Sequence, residues 1–417
     1  MRISTSEFLG MNVQTMDNQQ SQLSQLYGEI SSGVSLSSPS DNPLGAAQAV
    51  QLSMQGATLA QYASNQNSAL TSLQSEDQTL SSVITALQSV NTQLQTAGNG
   101  TLNDTNRSAI AATLEQLNNT LMTLGNTKSP SGNYLFGGFQ TSSQPFTQNS
   151  AGAVVYNGDN GVSSTQISDS TSVATGDTGA SVFLSVTPQT AAPVAYASTL
   201  NTGTAVAGQV NSTNATSAAN GDTYTISFQV AAGVTTYTVA DTNSAGTTTT
   251  TAPQPYTAGS AITLGTSGES VTISGTPANT DSFTVQSATQ VPPAQGGTSV
   301  FATIQNMITA LQTPADTPAA MAALNNVLNT GMTQVQNSLS NVTTVQATVG
   351  GREQQIQAME TVNQSQSLQA TSSLDDLVST NMPAAISQYT QTQFSLQASE
   401  QAFVQVQQLS LFQFINN

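Results

Sequence analysis

The chain has 417 residues, enough for two to four domains with a sizeable buried core. Four Lys and Arg stand against 21 Asp and Glu, a formal charge of −17, so there are too few cations to neutralise a run of phosphates, and neither nucleic acid nor membrane is expected as a partner. Histidine and cysteine are both absent, which removes the imidazole base, the thiolate nucleophile, thiolate zinc sites and disulfides. An enzyme would have to run on carboxylates, Lys128, Tyr or Ser and Thr alone; no catalytic residue, cofactor or metal ligand stands out, and no enzyme activity is expected.

Tryptophan is absent and aromatics make up 5% of residues, which favours an elongated chain over one thick aromatic core. No apolar run approaches the roughly 18 residues of a membrane-spanning helix. The opening Met1-Arg2-Ile3-Ser4-Thr5-Ser6-Glu7-Phe8 lacks the apolar stretch of a cleaved signal. With its single Lys and its abundance of Ser, Thr, Asn and Gln, the chain reads as an exported protein without disulfides.

From residue 1 to about 128 the pattern is helical. Leu9, Met16, Leu23 and Ile30 recur every seven residues, with Val13, Gln20 and Tyr27 between them, which predicts a sticky stripe on a helix of about 30 residues. Asp41-Asn42-Pro43 reads as a cap with an early proline, opening a second helix. Its seam is Leu59, Gln66, Leu73, Leu80, Leu87 and Leu94, ended by Gly98-Asn99-Gly100. Asn103-Asp104 then caps a shorter helix running to about Gly125.

Residues 141 to 298 are rich in Thr, Gly and Ala and read as β structure. Tyr224, Ile226, Phe228 and Val230 alternate with polar residues, and Gly233 separates them from Tyr237 and Val239, as in a hairpin. Asp222-Thr223-Tyr224-Thr225-Ile226 is echoed by Asp281-Ser282-Phe283-Thr284-Val285. Thr247 to Thr251, followed by Pro253 and Pro255, reads as a loop.

From 299 onward the helical period returns. Leu328, Val335, Val342, Val349 and Ile356 form a long seam. Asn381-Met382-Pro383 caps a last helix whose stripe is Met382, Tyr389, Leu396 and Phe403, flanked by Val378, Ala385, Thr392, Ser399 and Val406, with Leu409 beyond. A solitary helix has no core to bury such a stripe. The expected subunit interface is therefore Leu9, Val13, Met16, Leu23, Tyr27, Ile30, Met382, Tyr389, Leu396, Phe403, Val406 and Leu409.

The expected fold is α+β and multidomain: a long antiparallel helical coiled-coil rod made by both chain ends, with a β-rich insertion at its distal end. Its parts are residues 1–35 with 383–417 as the terminal coiled coil, 36–140 with 299–382 as the long-helix rod, 141–186 as a first β unit and 187–298 as a second.

Several motifs are more specific than heptads. Glu29-Ile30-Ser31-Ser32-Gly33, then Ser40-Asp41-Asn42-Pro43-Leu44-Gly45-Ala46-Ala47, resemble the flagellin superfamily, and within it the hook-filament junction family more than flagellin. Ala97 to Leu102, Gly132-Asn133-Tyr134-Leu135-Phe136-Gly137-Gly138, Pro145-Phe146, Tyr156-Asn157-Gly158-Asp159, Val300-Phe301, Val349-Gly350-Gly351-Arg352 and the closing Gln407 to Phe412 are similar to that family too. The likeness covers both helical arms and fades between 187 and 298. Where relatives carry Lys-Arg after Ser-Ser-Gly, this chain has Val34-Ser35.

The resemblance implies a structural adaptor forming a junction ring at the hook of the bacterial flagellum. It implies partners as well: further copies of itself, the first hook-associated protein on the hook side, flagellin on the filament side, and an export chaperone on the C-terminal helix before secretion. A filament-forming flagellin is the alternative within the superfamily. An adhesin or glycan-binding module in the β insertion is the alternative of another class, whereas the missing His-Glu-x-x-His excludes a zinc protease there. Gly137-Gly138 and Asn99-Gly100 lack the strand-loop-helix frame of a phosphate site and read as turns. Asp375-Asp376 reads as a solvated pair, because adjacent residues point apart on a helix.

Overall fold

The structure, a computed structural model, describes residues 5–415 other than 37, 41, 101, 151, 189, 213–220 and 267. In chain order the elements are α1 (Thr5–Ser32), α2 (Pro43–Ala97), α3 (Asp104–Gly125), β1 (Phe146–Gln148), β2 (Val154–Tyr156), β3 (Ser164–Gln166), β4 (Ser172–Ala174) and α4 (Gly179–Phe183). Then follow β5 (Val194–Ala197), β6 (Val206–Ser212), β7 (Thr223–Ala231), β8 (Val234–Thr242), β9 (Thr248–Thr250), β10 (Gln254–Pro255), β11 (Ala261–Leu264), β12 (Glu269–Ser274) and β13 (Ser282–Gln286). Helices α5 (Val300–Gln312), α6 (Pro318–Val378) and α7 (Met382–Ile415) close the chain. It is α+β, with helices at both ends and strands between them. No helix among the described residues is long and apolar enough to cross a membrane.

The expected caps are in place. The Asn42 Oδ1 accepts the Gly45 N–H at 2.9 Å, the Asn103 Oδ1 accepts the Asn106 N–H at 2.8 Å, and the Asn381 Oδ1 accepts the Ala384 N–H at 3.2 Å. Each satisfies an amide that the first helical turn leaves without an internal partner. Asp41 lies outside the described residues.

The chain divides into two compact units, Met1–Ser64 with Met359–Asn417, and Asn65–Ala358. In the first unit the end of α1 is tied to the start of α7: Val34 bridges Ser379, the Thr380 N–H donates to the Gly33 carbonyl at 2.9 Å, and the Ser35 N–H donates to the Val378 carbonyl at 2.8 Å. Gly33, at φ +73°, supplies the left-handed step that turns the chain out of α1. Both helices leave this common turn and stay in contact, so they run antiparallel. In the same unit Leu59 is buried, and the Asn363 Nδ2 donates to its carbonyl at 3.0 Å.

In the second unit both long seams are interior. Gln66, Leu73, Leu80, Leu87 and Leu94 of α2, and Leu328, Val335, Val342, Val349 and Ile356 of α6, are all buried. Helix α3 adds Ile110, Leu114 and Leu121, and α5 adds Ile304, Met307 and Leu311. The return helix is not continuous from 299: it breaks at Thr313, and Pro314 and Pro318 separate α5 from α6.

Strands β1 with β2 and β3 with β4 form two-stranded sheets, and the others form a six-stranded sheet, β10-β8-β7-β13-β5 with β9 also on β8, and a three-stranded sheet, β11-β12-β6. Tyr224, Ile226, Phe228, Val239, Ile262, Leu264, Val271, Ile273, Phe283 and Val285 from both sheets share one core. The expected hairpin is β7–β8, turning at Ala232 (φ +51°) and Gly233 (φ +81°), the pair of left-handed residues that a tight hairpin demands. The echoed segments are sheet neighbours, with Phe283 opposite Ile226. The Thr-rich segment departs from expectation. Thr248–Thr250 is a strand on β8, and Gln254–Pro255 also pairs with β8. A run of β-branched residues suits an exposed edge strand, and the prolines sit where no ladder donor is required.

Candidate assembly interface and its supports

The face of α7 is the one its heptads predict. Ala385 is buried, and Tyr389, Thr392, Leu396, Ser399, Phe403 and Val406 are half-buried, spaced alternately by four and three. On α1 the half-buried or buried row is Asn12, Met16, Gln19, Leu23, Leu26 and Ile30. Met16, Leu23 and Ile30 lie on this row, and between the last two Leu26 is buried, whereas Tyr27 is 65% exposed and Val13 43% exposed. Met382, at the head of α7, is also exposed. The side chains of Leu9 and Leu409 lie outside the described residues, although both positions are helical.

A two-helix pair buries only one side of each helix. Met11, Val13 and Tyr27 on α1, and Ile386, Phe394 and Val404 on α7, are left exposed. In an isolated chain such apolar groups gain nothing from the α1–α7 pairing.

Three constellations in the second unit hold the β region on the helices, and two of them escaped sequence reasoning. The first is a row of polar side chains on α6: Asn326, Thr330, Gln334, Asn337 and Asn341, spaced four, four, three and four. The Asn326 Oδ1 accepts the Ala207 N–H and its Nδ2 donates to the Ala205 carbonyl, both at 2.9 Å. The Thr330 hydroxyl donates to the Ala195 carbonyl at 2.8 Å, and the Asn337 amide makes both bonds to the Ala192 backbone, at 2.8 and 2.9 Å. The Gln334 Nε2 donates to the Gln295 carbonyl, and the Asn341 Nδ2 to the Ser181 carbonyl. Strands β5 and β6 are each the end strand of a sheet. The row therefore satisfies backbone groups on two edges that would otherwise be open.

The second is an aromatic cluster. Phe146 has ring centroids 5.1 Å from Tyr156 and 5.2 Å from both Phe183 and Phe301, and Phe136 meets Phe183 edge-on at 5.5 Å. Apart from Phe183, these are aromatic residues of the motifs around 136, 146, 156 and 301, so those motifs mark the packing base of the β region. Their glycines have steric reasons. A Cβ on Gly179 would lie 2.7 Å from the rings of Phe146 and Tyr156, and one on Gly138 (φ +69°) would strike Asp159. The Tyr156 hydroxyl lies between the carbonyls of Phe136 and Asp159, at 3.0 and 2.9 Å, with its one proton to share, and the Asp159 carboxylate accepts the N–H groups of Phe139 and Gly161.

The third is charged. Arg352 of α6 holds Asp177 through two nitrogens at 2.8 and 3.2 Å, and the Asp177 N–H donates to the Glu76 Oε1 of α2 at 3.0 Å. Glu76 is 1% exposed, and its acidity is weakened to a pKa of about 8 by burial first and by the neighbouring Asp177 charge second. Elsewhere burial, with Asp222 nearby, also raises Glu269. Among the described residues no group of three or more His, Cys, Asp or Glu is placed to hold a metal ion.

The family profile of the bacterial flagellin N-terminal helical region matches residues 3–141. Flagellar hook-associated protein 3 of Escherichia coli (strain K12) is 27% identical over 418 residues, 99% of each chain. This chain is similar to hook-associated protein 3 along its whole length. The crystal structure of flagellar hook-associated protein 3 from Legionella pneumophila superposes with a TM-score of 0.68 at 27% identity, over 78% of this chain and 98% of that one. The structure described as the flagellar junction protein of Legionella pneumophila gives 0.64 at 26% identity, over 79% and 99%. The hook-associated protein 3 likeness thus extends past the N-terminal region shared with flagellin, through the β region and α6.

Proposed function

We propose that this protein is a structural adaptor of the bacterial flagellum, forming the junction between hook and filament. The carrying observation is the α1–α7 pair, whose heptad seam is only half covered and which leaves Tyr27, Phe394 and other apolar side chains exposed. Such a pair is stabilised further when neighbouring copies bury its outer faces. Leu9, Val13, Met16, Leu23, Tyr27, Ile30, Met382, Tyr389, Leu396, Phe403, Val406 and Leu409 are the proposed contact set. Met16, Leu23, Ile30, Tyr389, Leu396, Phe403 and Val406 serve mainly the pairing of α1 with α7, and Val13, Tyr27 and Met382 face neighbours.

In this reading the subunit is exported through the flagellar apparatus, with a chaperone guarding its C-terminal helix beforehand. It then forms a ring between the first hook-associated protein and flagellin. Residues 1–35 with 383–417 act as the assembling coiled coil, 36–140 with 299–382 as the rod, and 141–186 and 187–298 as β units. The task is mechanical and requires no chemical step. Labelling the protein on intact flagella tests it. A single spot at the filament base is expected, and label along the whole filament would establish the flagellin alternative instead.

A further inference from the structure

We propose that Glu76, Asp177 and Arg352 form a proton-operated latch on the loop between β4 and α4, closed while Glu76 carries a proton and loosened when it loses it. The loop, residues 175–178, is held at its centre by the bidentate Arg352 contact and by the bond from the Asp177 N–H to Glu76. Its last residue, Thr178, caps α4 by accepting the Ser181 N–H at 3.2 Å, and the next amide, Gly179, donates to the Phe136 carbonyl at 2.9 Å. Helix α4 carries Phe183 into the aromatic cluster. A loosened loop therefore acts on the packing base of the β region.

The charge inventory explains why the proton matters. Four carboxyl groups gather here, Glu76 and Asp77 from α2, Asp177 from the loop and Glu353 from α6, against the single guanidinium of Arg352. Tyr134 lines the same cleft as Asp177. Arg352 is committed to Asp177, and the Glu76 Oε2 is buried without a hydrogen-bond partner. The Asp177 N–H and the Arg352 charge favour an ionised Glu76, but the loss of hydration and the Asp177 charge outweigh them. A neutral acid loses less than a carboxylate by being buried there, and a carboxylate is driven toward water.

The sign follows from linkage. Folding raises the Glu76 pKa from its ordinary 4.5 to about 8, so the folded chain holds this proton more tightly than the unfolded one. Stability is unaffected by this group below about pH 4.5, declines as pH rises through the interval to about 8, and is level beyond it. Above the midpoint each pH unit raises the ionised fraction relative to the neutral one about tenfold.

Hydrogen exchange of the full chain tests the latch, with rates corrected for intrinsic pH dependence. Between pH 8 and 9 the protection of the Asp177 and Gly179 amides should fall up to about tenfold, while Ile226 in the β7 ladder holds. Glu76→Gln, which keeps the carbonyl acceptor and cannot ionise, should retain its pH 6 protection at pH 9. Unchanged protection in the parent chain, or an equal fall in the variant, overturns the proposal. Should the variant fail to fold, the Glu76 side-chain carbonyl shift of the parent decides. A midpoint near 8 supports the latch, and one below about 5.5 refutes it.

Discussion

Replacing Asn326 with Leu isolates what the α6 polar row contributes. The two side chains share the same γ-branched skeleton, so the exchange removes the amide without opening a cavity. It strands the Ala207 N–H and the Ala205 carbonyl, both bonded to Asn326 at 2.9 Å inside the protein. Each buried group left without a partner costs about 1–3 kcal/mol, so the loss is about 2–6 kcal/mol. Asn329→Leu removes a single bond, from its Nδ2 to the Ala207 carbonyl at 2.9 Å, and should cost about 1–3 kcal/mol. Urea unfolding followed by far-ultraviolet circular dichroism measures both, with hydrogen exchange at Ala207 locating the effect. A cost below about 0.5 kcal/mol for Asn326→Leu would mean that the strand edge is satisfied without α6.

Two further outcomes follow from the same anatomy. Leu396→Asp with Phe403→Asp should leave the β sandwich folded, because both sites are half-buried on α7 and their carboxylates still reach water in the free chain. In an assembled ring the charges lose that water, at a cost of several kcal/mol, so cells should carry bare hooks and release flagellin. Normal filaments would show that an intact α1–α7 pair is not needed for assembly. Excising residues 187–298 behind a short Gly/Ser linker should leave the helical signal in circular dichroism intact. The α6 face so uncovered includes Asn326, Thr330 and Asn337, which water can solvate, and loss of helix would show that the β unit supports the long helices.

Local periodicity determines much of this protein without any tertiary contact. The seams from Leu59 to Leu94 and from Leu328 to Ile356 are buried because a seven-residue apolar repeat on a long helix leaves only one face that can leave water. The caps at Asn42, Asn103 and Asn381 and the hairpin around Gly233 are likewise written into short stretches, since each depends on a side chain or dihedral within a few residues. Tertiary structure decided what periodicity leaves degenerate. Leu26 and Tyr27 are adjacent and both extend the stripe of Met16, Leu23 and Ile30, so only the approach of α7 from the turn at Gly33 selects Leu26 for burial. The Asn326 to Asn341 row is spaced as regularly as the apolar seam, yet in a chain so rich in Asn, Gln and Thr it gains meaning only when two sheet edges lie against it. Glu76 is one of 21 acids in the sequence, and burial beside Asp177 and Arg352, brought from 101 and 276 residues away along the chain, raises its pKa to about 8.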